Sequence, residues 1–133
     1  MMIFDSSAIY AAISQGHSEK MFGHGTSTLA AFELGNIIWK EGVLAKRFSV
    51  QDGQDLCELC QKILERMHVA HPAMQDVYVL AARLKISFYD AAYLALAVEA
   101  KAPFITIDQR LADSSRDVVD VLSFDEAIIR LNN

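Results

Sequence analysis

Met2, Ile3 and Phe4 form a short apolar run that stops at Asp5-Ser6-Ser7, a helix-start signal. The pattern predicts a buried strand running into a short helix over residues 7 to about 13. Residues 16–25, with His17, Gly23 and His24, read as a loop. Thr26 or Ser27 is then placed to cap a long helix through Leu29, Phe32, Ile37, Ile38 and Trp39, ending near Gly42. A second amphipathic helix is expected from Ser49 to about Arg66, followed by a strand over residues 67–71 closed by Pro72. Residues 73–84 read as a helix with Val77, Leu80, Ala81 and Leu84 as its buried stripe. Ser87 opens another, dense in Ala and Leu, to about Ala100. Pro103 opens an apolar strand over residues 104–107, and Asp108 starts a short helix. Residues 118–122 give a last strand and 124–131 a last helix. Short apolar strands alternating with helices predict an α/β domain with a buried parallel sheet.

The 133 residues fit one domain, 1–133, long enough to bury a core without staples. A hydrophobic fraction of 53% and a mean hydropathy of +0.20 exclude a disordered segment. The opening residues lack the basic region of a signal peptide, and the longest unbroken apolar stretch, 91–98, is far too short to span a bilayer. A cytoplasmic protein with no membrane partner is expected. Cys57 and Cys60 have the spacing of a redox or half-zinc motif, but lie in a segment of helical periodicity with Leu56, Ile63 and Leu64. No second pair completes a zinc site, and packing of Cys60 as a small hydrophobe is the expected role.

Four acids each have an ordinary structural explanation beside a functional one. Asp5 and Asp108 each follow an apolar strand and precede a helix, where they serve equally as N-caps. Asp90, three residues after Ser87, matches a capping box, yet it shares a helix face with Tyr93, Leu94 and Ala97. Glu33 lies between Leu29 and Ile37 at i−4 and i+4, on the apolar face of its helix. A carboxylate there costs several kcal/mol unless a cation or hydrogen bonds compensate. No lysine or arginine lies within one turn of Glu33 in sequence, so a buried ion pair would need a distant partner.

In an open parallel sheet, ligands bind beyond the carboxyl ends of the strands, where Asp5 and Asp108 fall. Carboxylates gathered there repel one another unless divalent cations join them. An all-oxygen donor set suits Mg²⁺ or Mn²⁺ rather than zinc, and such sites support in-line phosphodiester hydrolysis. The net charge of −5 argues against a simple nucleic-acid binder, but setting four carboxylates aside as a metal site brings the balance close to neutral.

The same residues carry a resemblance. Ile3-Phe4-Asp5-Ser6-Ser7 resembles the first motif of the PIN-domain nucleases, an apolar strand followed by Asp, a small residue, and Ser or Thr. Glu33-Leu34-Gly35-Asn36 is similar to their helical Glu with Asn three positions on. The run from Tyr89 to Ala97 resembles their Asp-Ala-x-Tyr-x-Ala-Leu-Ala helix, and Thr106-Ile107-Asp108 their Thr-x-Asp motif. The four motifs, in order, span the chain and resemble most the toxin nucleases of VapBC-type toxin–antitoxin modules. The resemblance implies a three-layer α/β/α sandwich around a mainly parallel sheet, and Mg²⁺- or Mn²⁺-dependent cleavage of RNA. It further implies a homodimer and a cognate antitoxin that inhibits it. By the same carry-over Asp5, Glu33, Asp90 and Asp108 are catalytic metal ligands, and Ser7, Asn36 and Thr106 orient carboxylates or metal-bound water.

Lys46, Arg47, Arg83, Lys85 and Arg110 are candidates for phosphate contacts, or ordinary solvated charges. No chemistry is expected of His17, His24, His68 or His71. Two rival readings stand beside the ribonuclease. One is a non-catalytic PIN-like module that binds RNA or protein, although the chain keeps all four acids. The other is a phosphatase or receiver-type domain using Asp5, against which Ser7 stands where the Asp-x-Asp phosphatases need an acid.

Overall fold

Strand β1 (Ile3–Phe4) is two residues long, yet both are buried and the sheet is organised around them. The computed structural model describes all residues, 1–133. Residue Ile3 pairs in parallel with Gly25 of β2 (Gly25–Ser27) on one side and with Phe104 of β4 (Phe104–Ile105) on the other. Beyond β2 lies β3 (His68–Ala70), and beyond β4 lies β5 (Val121–Leu122). All pairs are parallel, in the order β3-β2-β1-β4-β5.

That order follows from how the chain winds. It moves outward from β1 to β3, then returns to place β4 against the free side of β1. Because parallel crossovers are right-handed, reversing direction puts helices on both faces of the sheet. Helices α1 (Ser6–Ser14), α2 (Ala30–Trp39) and α3 (Val50–Glu65) pack in succession, while α4 (Met74–Leu84) packs on α5 (Phe88–Ala100), which lies against β1 and β2. Helices α6 (Gln109–Ser115) and α7 (Phe124–Leu131) follow β4 and β5. The three-layer α/β/α arrangement agrees with the sequence pattern. Helix α5 runs through the centre, with every residue from Ala91 to Ala97 buried, which explains its unusual density of Ala and Leu.

Two elements differ from expectation. Thr26 and Ser27 are strand residues of β2, although the Ser27 hydroxyl still accepts from the Leu29 amide at 3.1 Å just ahead of α2. The Thr26 hydroxyl donates to the Phe4 carbonyl at 2.7 Å, and both residues are buried. A Cβ at position 25 would fall 2.5 Å from Ile3 Cδ1, so a larger residue there would make the end of the Ile3 side chain turn aside. The second difference lies at the far end of α2, which runs on into a π-helical turn, Lys40–Leu44. Strands β4 and β5 are also shorter than their apolar runs, since Ile107 is exposed and only Val121–Leu122 pair. No helix is long and apolar enough to cross a membrane.

Candidate functional site

The reversal of winding leaves a crevice at the carboxyl ends of β1 and β4, and Asp5 stands at its floor. It ends β1 and caps α1, its Oδ1 accepting from the Ala8 amide at 2.9 Å and the Ser7 hydroxyl at 2.6 Å. Its Oδ2 accepts from the Thr106 hydroxyl at the end of β4. Ser7 and Thr106 also join the two strand ends. The Ser7 oxygen accepts from the Ile107 amide at 3.1 Å, and the Thr106 oxygen from the Asp108 amide at 3.1 Å.

Asp5 is only 5% exposed. Burial pushes its pKa from the ordinary 3.8 to about 6; the hydroxyls of Ser7 and Thr106 and the Ala8 amide pull it down, and the charge of Asp90 pushes it further up. Asp90 is half-buried in the first turn of α5, where its amide donates to the Ser87 hydroxyl at 3.0 Å. Its own pKa is raised, first by burial, and then by the charges of Asp108 and Glu33 against the lowering effect of Ser87. Asp90 therefore stands in the electrostatic range of all three other acids.

Glu33 sits on the flank of α2. The buried face of that helix is Ala30, Leu34 and Ile38, whereas Leu29 and Ile37 are partly exposed, and Glu33 with them. Its Oε1 accepts from the Tyr93 hydroxyl at 2.5 Å and from the Ser6 hydroxyl at 3.2 Å. The desolvation expected for this residue is thus partly relieved by solvent and by two hydroxyl donors. Asp108 is exposed and caps α6, its Oδ1 accepting from the amides of Arg110 and Leu111 at 3.0 and 3.2 Å. Its second oxygen has no protein donor.

Ser7 and Thr106 both donate hydrogen bonds to Asp5. Asn36 is exposed and lines the groove beside Glu33, but bonds to none of the carboxylates. Sequence reasoning missed Ser6 and Tyr93, which position Glu33. Tyr93 is almost fully buried, and its phenol is pushed well above its ordinary pKa by burial and by the Glu33 carboxylate. The signal for Ser6 lay in the Asp-Ser-Ser run itself; that for Tyr93 was its place one turn beyond Asp90.

No arginine or lysine neutralises the four acids. The ion pairs of the molecule, Glu41–Arg47, Glu58–Lys62, Asp113–Arg116 and Asp120–Arg130, all lie on the surface elsewhere. Nor do any three of the acids close into a ready-made coordination shell. Asp5 feels the charge of Asp90, and Asp108 and Glu33 act on Asp90. Asp5 and Glu33 are held by hydroxyl donors, and none of the four is paired with a cation. Uncompensated negative charge of this kind attracts cations and water; it offers no nucleophilic side chain backed by a base. His24 is engaged elsewhere, its Nδ1 accepting from the Met2 amide at 3.0 Å. Cys60 is buried in the core, its thiol pushed up to about 11 by burial and by Cys57.

No protein-family model matches the chain. Among curated proteins, the ribonuclease VapC3 of Pyrobaculum aerophilum is 31% identical over 91 residues, covering 66% of this chain and 68% of that protein. The exonuclease VapC9 of the same organism is 27% identical over 124 residues, covering 90% and 89%. Among solved structures, PAE2754 from Pyrobaculum aerophilum aligns with a TM-score of 0.78 at 26% identity, over 99% of this chain and 98% of that one. FitAB bound to an IR36 DNA fragment shares the fold, with a TM-score of 0.60 at 16% identity over 93% and 95% of the chains. Together with the motif order and the sheet topology, these similarities place the chain in the VapC family of PIN-domain nucleases.

Proposed function

We propose that this protein hydrolyses RNA phosphodiester bonds in the crevice between β1 and β4, with Asp5, Glu33, Asp90 and Asp108 holding Mg²⁺ or Mn²⁺. The observation that carries this reading is Asp5: a 5% exposed carboxylate at the sheet's switch point, crowded by a second acid and paired with no cation. A fold does not retain such a group for stability, because its charge is opposed by burial.

The donor set fits a hard divalent ion. All four groups are carboxylates, and no histidine or thiolate stands among them. When bound, the ion supplies a water of lowered pKa and positive charge for the phosphate oxygens. The protein's share is orientation: Ser7, Thr106 and the Ala8 amide fix Asp5, while Ser6 and Tyr93 fix Glu33. Asp108 keeps one oxygen free at the mouth of the crevice.

RNA as the substrate follows the name of the ribonuclease relative. From the motif resemblance to VapBC-type toxin nucleases we further propose that the protein is the toxin of a toxin–antitoxin pair and works as a homodimer restrained by its antitoxin. An uncovered apolar groove of about 350 Å³ between α2 and α3, with Trp39, Val43, Phe48 and Val50 in its walls, offers a protein partner an anchoring surface. Incubation of purified protein with labelled RNA tests the activity. Cleavage is expected with Mg²⁺ or Mn²⁺, to stop with chelator, and to be lost in Asp5→Asn and Asp90→Asn. Variants that cut as fast as the parent would overturn the assignment. Absence of divalent-metal binding by calorimetry at millimolar concentrations would leave a binding module instead.

A further inference from the structure

Two of the four acids are preceded in the chain by an aromatic residue that the core does not use: Phe32 before Glu33, and Tyr89 before Asp90. Phe32 is 80% exposed and Tyr89 61%. Large rings are mostly buried because each removes so much apolar area from water. Neither is needed to anchor its helix, since Leu34 and Ile38 seat α2, and Ala91, Ala92 and Leu94 seat α5. Although they come from different helices, both rings line one groove of about 380 Å³. Ser6, Glu33 and Asn36 line it too, so one of the four acids stands in its wall and Tyr89 precedes a second. Lys40 is its sole basic residue, and no carboxylate pairs with that ammonium group.

We infer that this groove seats an unpaired nucleotide beside the bond that is cut, its base stacked against Phe32 and Tyr89 and its phosphate met by Lys40. The inference rests on the nuclease reading above and adds to it the residues that hold the strand: Phe32, Tyr89 and Lys40. Exposed rings beside a lone cation match the two faces of a nucleotide, one π-stacking and one anionic. Every base has a π-face, so such a seat tolerates sequence. A base inside a duplex has both faces covered by its neighbours and cannot enter. Asn36 and Ser6 add hydrogen-bonding groups at the groove's inner end without demanding one base.

Steady-state cleavage of a short single-stranded oligoribonucleotide tests this. Phe32→Ala and Tyr89→Ala should each raise KM by about 5- to 100-fold, the range of one lost stacking contact. Mn²⁺ affinity by calorimetry should be unchanged. Phe32→Tyr and Tyr89→Phe should keep the parental KM, whereas Phe32→Leu should not. Moving a single abasic nucleotide along the strand should find one position at which Phe32→Ala no longer matters. Unchanged KM in both alanine variants overturns the proposal, as does full function of Phe32→Leu. So does a change in sedimentation with KM unaltered, which would make the rings a contact between copies of this chain. A parent protein that binds Mn²⁺ and cleaves RNA while the alanine variants behave normally removes the stacking seat alone. A parent that does neither removes the nuclease reading with it.

Discussion

Asp5 shows at the scale of one residue how a site opposes stability. Its folded pKa of about 6 lies above the ordinary 3.8, so between those values the folded chain binds more protons than the unfolded one. The stabilisation that protonation brings is full below about pH 4 and is lost as pH rises through about 6. The loss above that pH is on the order of 3 kcal/mol from this carboxyl. Asn cannot ionise, and its oxygen can still accept from Ser7 and the Ala8 amide while its amide faces the Thr106 oxygen. Asp5→Asn should therefore abolish cleavage and yet raise the denaturation midpoint of the metal-free protein at pH 8, with the gain vanishing near pH 4. A loss of stability at pH 8 would show that the charged form is compensated in the fold. Tyr93 makes the complementary case. Tyr93→Phe removes the donor to Glu33 while keeping the buried ring. It should cost about 10- to 100-fold in metal affinity or activity, the usual effect of losing a ligand-orienting group, with only a small change in stability. Metal titration of the variant beside a urea melt separates the two effects.

At the scale of the element, strand–helix junctions were readable and depth was not. Asp5 and Asp108 could be found because an apolar run ending in Asp before a helix marks the carboxyl end of a strand, where the crevice lies. Glu33 was found for a reason only partly right. A helical wheel gives the face of α2, but how far the neighbours cover that face is set by α1 and α5, and they leave Glu33 half-exposed. Tyr93 read as one more apolar member of α5, because a sequence does not say where a phenol oxygen ends. Strand β2 was illegible: Gly-Thr-Ser has the composition of a turn, and only its pairing with β1 and β3 makes it a strand. The helix ends hold a further consequence. Helix α5 closes on Lys101 in the left-handed region, φ 52°, where its amide donates to the Ala97 and Val98 carbonyls. A side chain costs about 1 kcal/mol there that glycine does not. Lys101→Gly should raise unfolding stability by that amount in urea without touching cleavage, since the residue lies at the opposite end of α5 from Asp90.

The whole molecule carries a charge of −5 and must still accept an anionic substrate. On the proposed reading four of its acids serve one metal site and the remainder is nearly balanced, so a bound divalent cation would change the local field from repulsive to attractive for phosphate. That coupling makes ion and proton competitors for the same oxygens. The pKa of Asp5 is raised to about 6, so below that pH an ion must displace its proton to bind, and above it that carboxylate is already free; burial and the neighbouring acids raise Asp90 in the same direction. Any ion that binds the folded chain alone stabilises it, by about 2.7 kcal/mol at a hundredfold excess over its Kd, which for a domain of this size is roughly 10 °C in Tm. Thermal melts with and without Mn²⁺ should show a large upward shift at pH 8 and a much smaller one at pH 5. The metal-free melt should run the other way, higher at pH 5 than at pH 8, because the same carboxylates are then relieved by protons instead of by the ion. A Mn²⁺ shift equal at both pH values would mean that the ion binds elsewhere. The four acids would then be a feature of the fold alone, without the divalent ion that the proposed hydrolysis needs.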